Sequence, residues 1–274
     1  MDKPTRPLRI VAAIPCYKGY LADDTSRSLE SLFIYSRQVE PRIDWARLVT
    51  LGCPVLPRVR NALVATALSQ GADGVLFIDD DIGFEARDVY RMIGHGFGLI
   101  GAIPQMRNSR WNDPPRLAIS PNGLRINPER GLAMSPQTLP MALTYISAQV
   151  FRAIRAAGLA PQILYSDVPE AAQEHMAMYF GYEARACPEG SPEAKMAKRL
   201  GITNPMVEDG EDNYFCRRAA AAGFESVIDL EVELRHWEGR VLHDYSLKKF
   251  LAEHADGLRP TPPTGQGQAH DARQ

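Results

Sequence analysis

The chain has 274 residues, 45% of them hydrophobic, with a formal net charge of -2 and a pI near 6.3. Length and apolar fraction suit one large α/β domain or two small ones with a substantial core, and the near-neutral charge gives no global electrostatic reason for a nucleic-acid partner, although a local basic groove fits within that balance. Cys16, Cys53, Cys187 and Cys216 form no CxxC pair, which excludes the common zinc and disulfide frameworks and leaves reduced, structural thiols.

In chain order, Arg9 to Ile14 reads as a buried strand ended by Pro15, followed by a loop to Asp24. The run Ile10 to Ile14 is too short for a signal-peptide core or a membrane span, so a soluble, cytoplasmic protein with no stable membrane insertion is expected. Thr25 or Ser26 can cap a helix whose apolar face carries Leu29, Leu32 and Phe33. Leu48 to Leu51 is a second strand, and Arg58 to Gln70 a second amphipathic helix. Gly74 to Ile78 is a third strand, Ala86 to Ile93 a helix, and Gly98 to Ile103 a fourth strand. The order βαβαβαβ is that of a doubly wound parallel sheet.

Residues 105–140 are rich in Pro, Asn, Arg and Ser, with short apolar pieces suited to hairpin strands. Arg107, Arg110, Arg116, Arg125 and Arg130 give this stretch positive charge, consistent with an anionic acceptor or with a solvated loop, and its length suits a mobile cover over a site. Met141 to Ile146 and Gln149 to Ala157 read as strand and helix. Residues 160–205 are again irregular, with Tyr179, Phe180 and Tyr182 either in the core or lining a pocket. Asp212 to Ala222 is helical, Ser226 to Ile228 and Val232 to Leu234 are short strands, and Tyr245 to Glu253 is a last helix. Beyond it the chain is nearly devoid of apolar residues, so residues 255–274 are expected to be a disordered tail after a domain over 1–254.

The informative stretch is the third strand, whose apolar run stops at Asp79-Asp80-Asp81. A continuous apolar run is the pattern of a buried parallel strand, and ligands of open α/β sheets bind beyond the carboxyl ends of such strands. Three adjacent carboxylates repel one another and become tolerable when a divalent cation neutralises them, often one shared with a diphosphate. A solvated acidic turn accounts for the same residues without a ligand.

Four patches extend this reading: Ile14-Pro15-Cys16-Tyr17, Arg58-Val59-Arg60-Asn61, the Asp79-Asp80-Asp81 run, and Gly210-Glu211-Asp212 followed by Ala222-Gly223-Phe224 and His236-Trp237-Glu238-Gly239. Taken in order they resemble a GT-A glycosyltransferase of the family 2-like type. The resemblance implies an α/β fold with a GT-A-like (Rossmann-like), mostly parallel sheet flanked by helices in a single domain. It also implies a nucleotide-sugar donor, a manganese or magnesium ion, and inversion at the anomeric carbon. On this resemblance Asp79 and Asp81 are the outer acids of a DxD motif, with Asp81 and either Asp79 or Asp80 at the metal. His236 is a late metal ligand with His243 as its substitute. Pro15, Tyr17, Arg58, Arg60, Asn61, Asp79 and Asp80 bind the donor. Asp212 is the general base, with Glu211 beside it contacting the acceptor or bracing a neighbour. The acceptor is left open between a glycan, a lipid-linked or small molecule, a protein and a modified DNA base. Rival readings are a nucleotidyltransferase, against which no Gly-rich phosphate loop follows the first strand, and a non-catalytic nucleotide- or glycan-binding module.

Overall fold

The computed structural model describes residues 6–39, 42–106, 117–119, 123–135, 138–187, 189–237, 244–245 and 247–253. The chain opens with β1 (Leu8–Cys16), α1 (Asp23–Gln38), β2 (Ile43–Leu51), α2 (Leu56–Ser69), β3 (Gly74–Ile78), β4 (Ile82–Gly83), α3 (Ala86–Gly94) and β5 (Leu99–Ala102). A hairpin, β6 (Arg125–Asn127) and β7 (Leu132–Ser135), precedes β8 (Leu143–Ser147), α4 (Ala148–Ala156), α5 (Glu170–Gln173), β9 (Glu183–Ala186), α6 (Pro192–Leu200) and β10 (Met206–Asp209). The remainder is α7 (Glu211–Ala221), β11 (Ser226–Asp229), β12 (Leu234–His236), β13 (Asp244–Tyr245) and α8 (Leu247–Glu253).

The central sheet runs β2-β1-β3-β8-β5-β11-β7-β6. Strands β2, β1, β3, β5, β11 and β6 point one way, while β8 and β7 point the other, so the sheet is mixed rather than purely parallel. The reason lies in the connection. The chain leaves β5 at the sheet's carboxyl edge, forms the β6–β7 hairpin and re-enters at Leu143, opposite Ile78 and Ala102, at that same edge. A strand that starts at the edge where its neighbours end runs antiparallel to them.

Why β1 and β3 are continuously apolar is visible in the packing. Successive side chains of a strand face opposite sides of the sheet. Ile10, Ala12, Ile14, Leu76 and Ile78 enter one core with α1 and α3, while Val11, Ala13, Val75 and Phe77 enter the other with α2, α4 and α7. Strand β1 also runs through Pro15, which was expected to end it. Pro15 pairs with Thr50 of β2, whereas the ladder to β3 covers only Ile10 to Ala13, so a residue lacking an N–H is tolerated there. Strand β2 begins at Ile43, five residues before its expected start at Leu48. Its alternation of half-buried and exposed residues marks an edge strand, and that edge hid it in the sequence.

Helix α1 starts at Asp23 rather than at a Thr25 or Ser26 cap. Thr25 is buried, and Asp23 and Asp24 place negative charge on the helix's first turn. Tyr179 and Phe180 are fully buried core residues, and Phe180 stacks on Phe215 at 4.7 Å, while Tyr182 is exposed. The expected tail and His243 lie outside the described residues, as do Arg107, Arg110 and Arg116. Arg125 and Arg130 belong to the hairpin at the far sheet edge, where Arg125 pairs with Glu225 and Arg130 lies over the Phe97 ring. Among the described residues no helix is long and apolar enough to cross a membrane.

Candidate active site

The three aspartates occupy the turn between β3 and β4, and each is fixed by its backbone to a different part of the chain. Asp79 N–H donates to Ala142 O at the entry of β8 (2.9 Å), Asp80 O accepts from Ala22 N–H (2.8 Å), and Asp81 O accepts from Trp237 N–H (2.9 Å). Their carboxylates consequently diverge. Asp80 lies near the buried Cys16 thiol, which is pushed above its usual range by burial and by that carboxylate.

Asp79 accepts a hydrogen bond from Arg60 Nη2 at 3.2 Å, and Arg60 Nη1 is ion-paired with Glu211 at 3.0 Å. Arg60 is 2% exposed, with the rings of Phe77 and Phe180 at 5.5 and 5.8 Å from its guanidinium. It thus joins the start of α2, the end of β3 and the start of α7, and does not project into solvent. A buried guanidinium between two carboxylates balances charge, and its removal would leave two acids facing each other. Burial raises the Glu211 carboxyl above its ordinary range; Arg60 opposes this, while Asp212 and Asp79 add to it. Asp212 accepts from Asn213 N–H at 2.7 Å on the first turn of α7.

Asp81 is 3% exposed. Its Oδ1 stands 3.5 Å from His236 Nε2, and His236 Nδ1 is 2.5 Å from the carbonyl of the buried Gln105. A carbonyl only accepts, so Nδ1 carries the proton of that contact, and Nε2 is the ring atom turned towards the Asp81 carboxylate. Nε2 donates to that carboxylate when it carries a proton, and without one its lone pair can join the carboxylate in holding a cation. Strand β12 sets this geometry by pairing His236 with Ile82 and Arg235 with Gly83. Arg235 then bonds Asp24 and Glu85, both at 2.9 Å, holding the strand against α1.

Among the described residues no group of three His, Cys, Asp or Glu side chains is arranged to hold a cation. Asp81 and His236 provide two donors, and Asp79 is turned to Arg60. Such a pair suits an ion that completes its shell with phosphate oxygens and water, the habit of magnesium-like cations at nucleotide sites, and does not suit an all-protein cage.

The other sequence candidates are dispersed. Asn61 gives its amide to the backbone of Phe180, donating from Nδ2 to O and accepting from N–H at Oδ1, both at 2.9 Å. That double bond pins the irregular segment onto α2. Arg58 pairs with Asp167 at 2.6 Å and lies over the Tyr165 ring. Pro15 is buried in β1, and Tyr17, 62% exposed, stands just beyond it. Gln105, Asp24 and Arg235 are structural members of the site that sequence reasoning missed. Asp24 and Arg235 are separated by 211 positions, and no local pattern relates them.

No protein-family profile and no curated protein matches this chain. Among solved structures it is similar to A197 from STIV, with 10% identity, a TM-score of 0.40, and alignment over 84% of this chain and 86% of that one. At that identity the likeness carries no residue-level correspondence.

Proposed function

We infer that this protein is a metal-dependent glycosyltransferase that moves a sugar from a nucleotide-sugar donor to an acceptor. The observation that carries the reading is the meeting of Asp81 and His236 at the carboxyl end of β3, beside the Asp79–Arg60–Glu211 cluster. Ligands of α/β sheets bind at that end of the strands. Asp81 and His236 would hold a manganese or magnesium ion, and when bound it supplies positive charge for a departing diphosphate. Arg60 keeps Asp79 and Glu211 apart and in place. Tyr17, exposed past the end of β1, offers a ring for a nucleobase. Glu211 is engaged with Arg60, so Asp212, whose one described partner is the Asn213 N–H, takes the acceptor's proton and inverts the configuration.

A thermal-shift series of nucleotide sugars with and without manganese tests this, followed by assay of sugar transfer and donor hydrolysis. A ligand that binds only the folded state raises the melting temperature. The expected result is a shift with one donor that requires the metal and is lost in Asp81→Asn, with the variant's circular dichroism matching wild type. Manganese dependence unchanged in Asp81→Asn would overturn the metal assignment. Donor binding without any turnover would instead favour a non-catalytic binding module.

A further inference from the structure

A cleft lies at the end of the sheet opposite the strand-end acids. It has a volume of about 670 Å³ and is lined by residues that begin β1 and β2 and by the ends of α1 and α2, among them Arg9, Phe33, Arg37 and Trp45. The strand-end acids are separated from it by the length of β1. Nine residues at roughly 3.3 Å each give about 30 Å. The volume is within the usual range for small-molecule sites, roughly 300–1,000 Å³.

The lining is built rather than incidental. Trp45 is half-buried and fixed by its indole N–H, which donates to Tyr90 Oη at 3.1 Å, and by an edge contact with the Tyr90 ring. Phe33, also half-buried, adds a second aromatic wall. Arg9 and Arg37 contribute two cations, and among the described residues neither is ion-paired. Arg9 Nε is buried without an acceptor, and Asp44 stands beside Arg9 in strand register without pairing with it. Arg6 adds a third cation at the rim, tied to Asp73 at 2.8 and 2.9 Å. Rigid aromatic surface flanked by uncompensated guanidinium groups suits a planar ring bearing a phosphate, because arginine binds phosphate through paired donors and stacks on rings.

We propose that this amino-end cleft is a second, metal-independent binding site for a nucleoside monophosphate or a similar phosphorylated, ring-bearing small molecule. It is independent of the strand-end site. A cleft of this volume with aromatic walls matches the size of a small ligand, and the chain's net charge of -2 gives a polyanion no general attraction.

The test is isothermal titration of the full chain, in excess chelator, with adenosine and uridine monophosphates, their nucleosides, inorganic phosphate, and a single-stranded oligonucleotide. The expected result is saturable binding of a mononucleotide, with the nucleoside and phosphate each at least about tenfold weaker. Arg37→Glu should weaken it by at least about tenfold while leaving the melting temperature unchanged, since Arg37 is exposed. Trp45→Phe should weaken it less. Asp81→Asn should leave it intact. Absence of mononucleotide binding, affinity unaltered in Arg37→Glu, loss in Asp81→Asn, or binding of the oligonucleotide alone would each overturn the proposal. Metal-dependent donor binding reports separately on the strand-end site, so failure of one reading leaves the other standing.

Discussion

Two adjacent acids at the start of α7 share the chemistry unequally. Glu211 is buried beside Arg60 and Asp79 with its carboxyl raised by burial, and Asp212 faces its own helix N-terminus. A general base contributes on the order of 10²- to 10⁴-fold, so Asp212→Asn should lose at least about 10²-fold in turnover with donor binding retained. Activity surviving in Asp212→Asn but not in Glu211→Gln would exchange the two roles. Glu211 also has a stability signature. Its folded pKa is raised, so the native state holds this proton more tightly than the unfolded chain does. The group's stabilising contribution is therefore full below the unfolded value of 4.5 and is lost as pH rises through the folded value. Urea unfolding across that range should show Glu211→Gln gaining stability relative to wild type as pH increases; a constant difference would remove the raised carboxyl from the account. Asn61 belongs to this scale as well. Removing its amide leaves two buried backbone groups of Phe180 unpaired, at about 1–3 kcal/mol each, so Asn61→Ala should unfold at lower denaturant concentration. If Asn61→Ala weakened donor binding with no change in the urea midpoint, Asn61 would be a donor ligand and not a clamp.

Among the elements, the short strand β4 matters beyond its two residues. It carries the turn of aspartates into β12 and so brings His236 to Asp81. Gly83 permits this because a Cβ there would run into the Asp24 carboxylate, which is bound to Arg235. Gly83→Ala must therefore displace the Asp24–Arg235 pair, an overpacking effect of about 1–3 kcal/mol. The expected result is a lower urea midpoint together with weaker manganese binding, since β12 would shift with Arg235. Stability lost with manganese affinity intact would separate β4 from the metal site. The start of the segment between β5 and β6 is tied to residues further along it, by a bridge of Gln105 with Leu117 and by Ala118 N–H to Pro104 O at 3.1 Å. Gln105 therefore orients His236 from the root of that segment.

For the whole molecule, the sheet separates two ends with different chemistry. Carboxylates, Arg60 and His236 gather where β3 terminates, and Arg6, Arg9 and Arg37 with the Phe33 and Trp45 rings gather where β1 and β2 begin. Linkage predicts how the strand-end site responds to its ligands. A donor with manganese at a hundred times its dissociation constant should add about 2.7 kcal/mol to folding stability, measured by urea unfolding. Chelator should abolish that gain without destabilising the ligand-free protein, because Asp79 and Glu211 are held by Arg60 and not by the metal. Unfolding of the free protein by chelator would mean that the metal is structural.

The sequence by itself determined the alternation of strands and helices, the two-faced burial of β1 and β3, and the placing of three aspartates at a strand's carboxyl end. These follow from local periodicity, since a strand buried on both faces must be apolar throughout and a polar run must end it. Edge strand β2 was only half legible, because one exposed side dilutes its apolar signal. Tertiary structure alone decided that β8 is antiparallel, that Asp79 turns to Arg60 while Asp81 turns to His236, and that Asn61 clamps Phe180. Side-chain partners in a fold are chosen by where distant segments cross. Asp24 meets Arg235 because β12 pairs with β4, which packs on α1, and Arg60 meets Glu211 where the first turns of α2 and α7 converge at the end of β3.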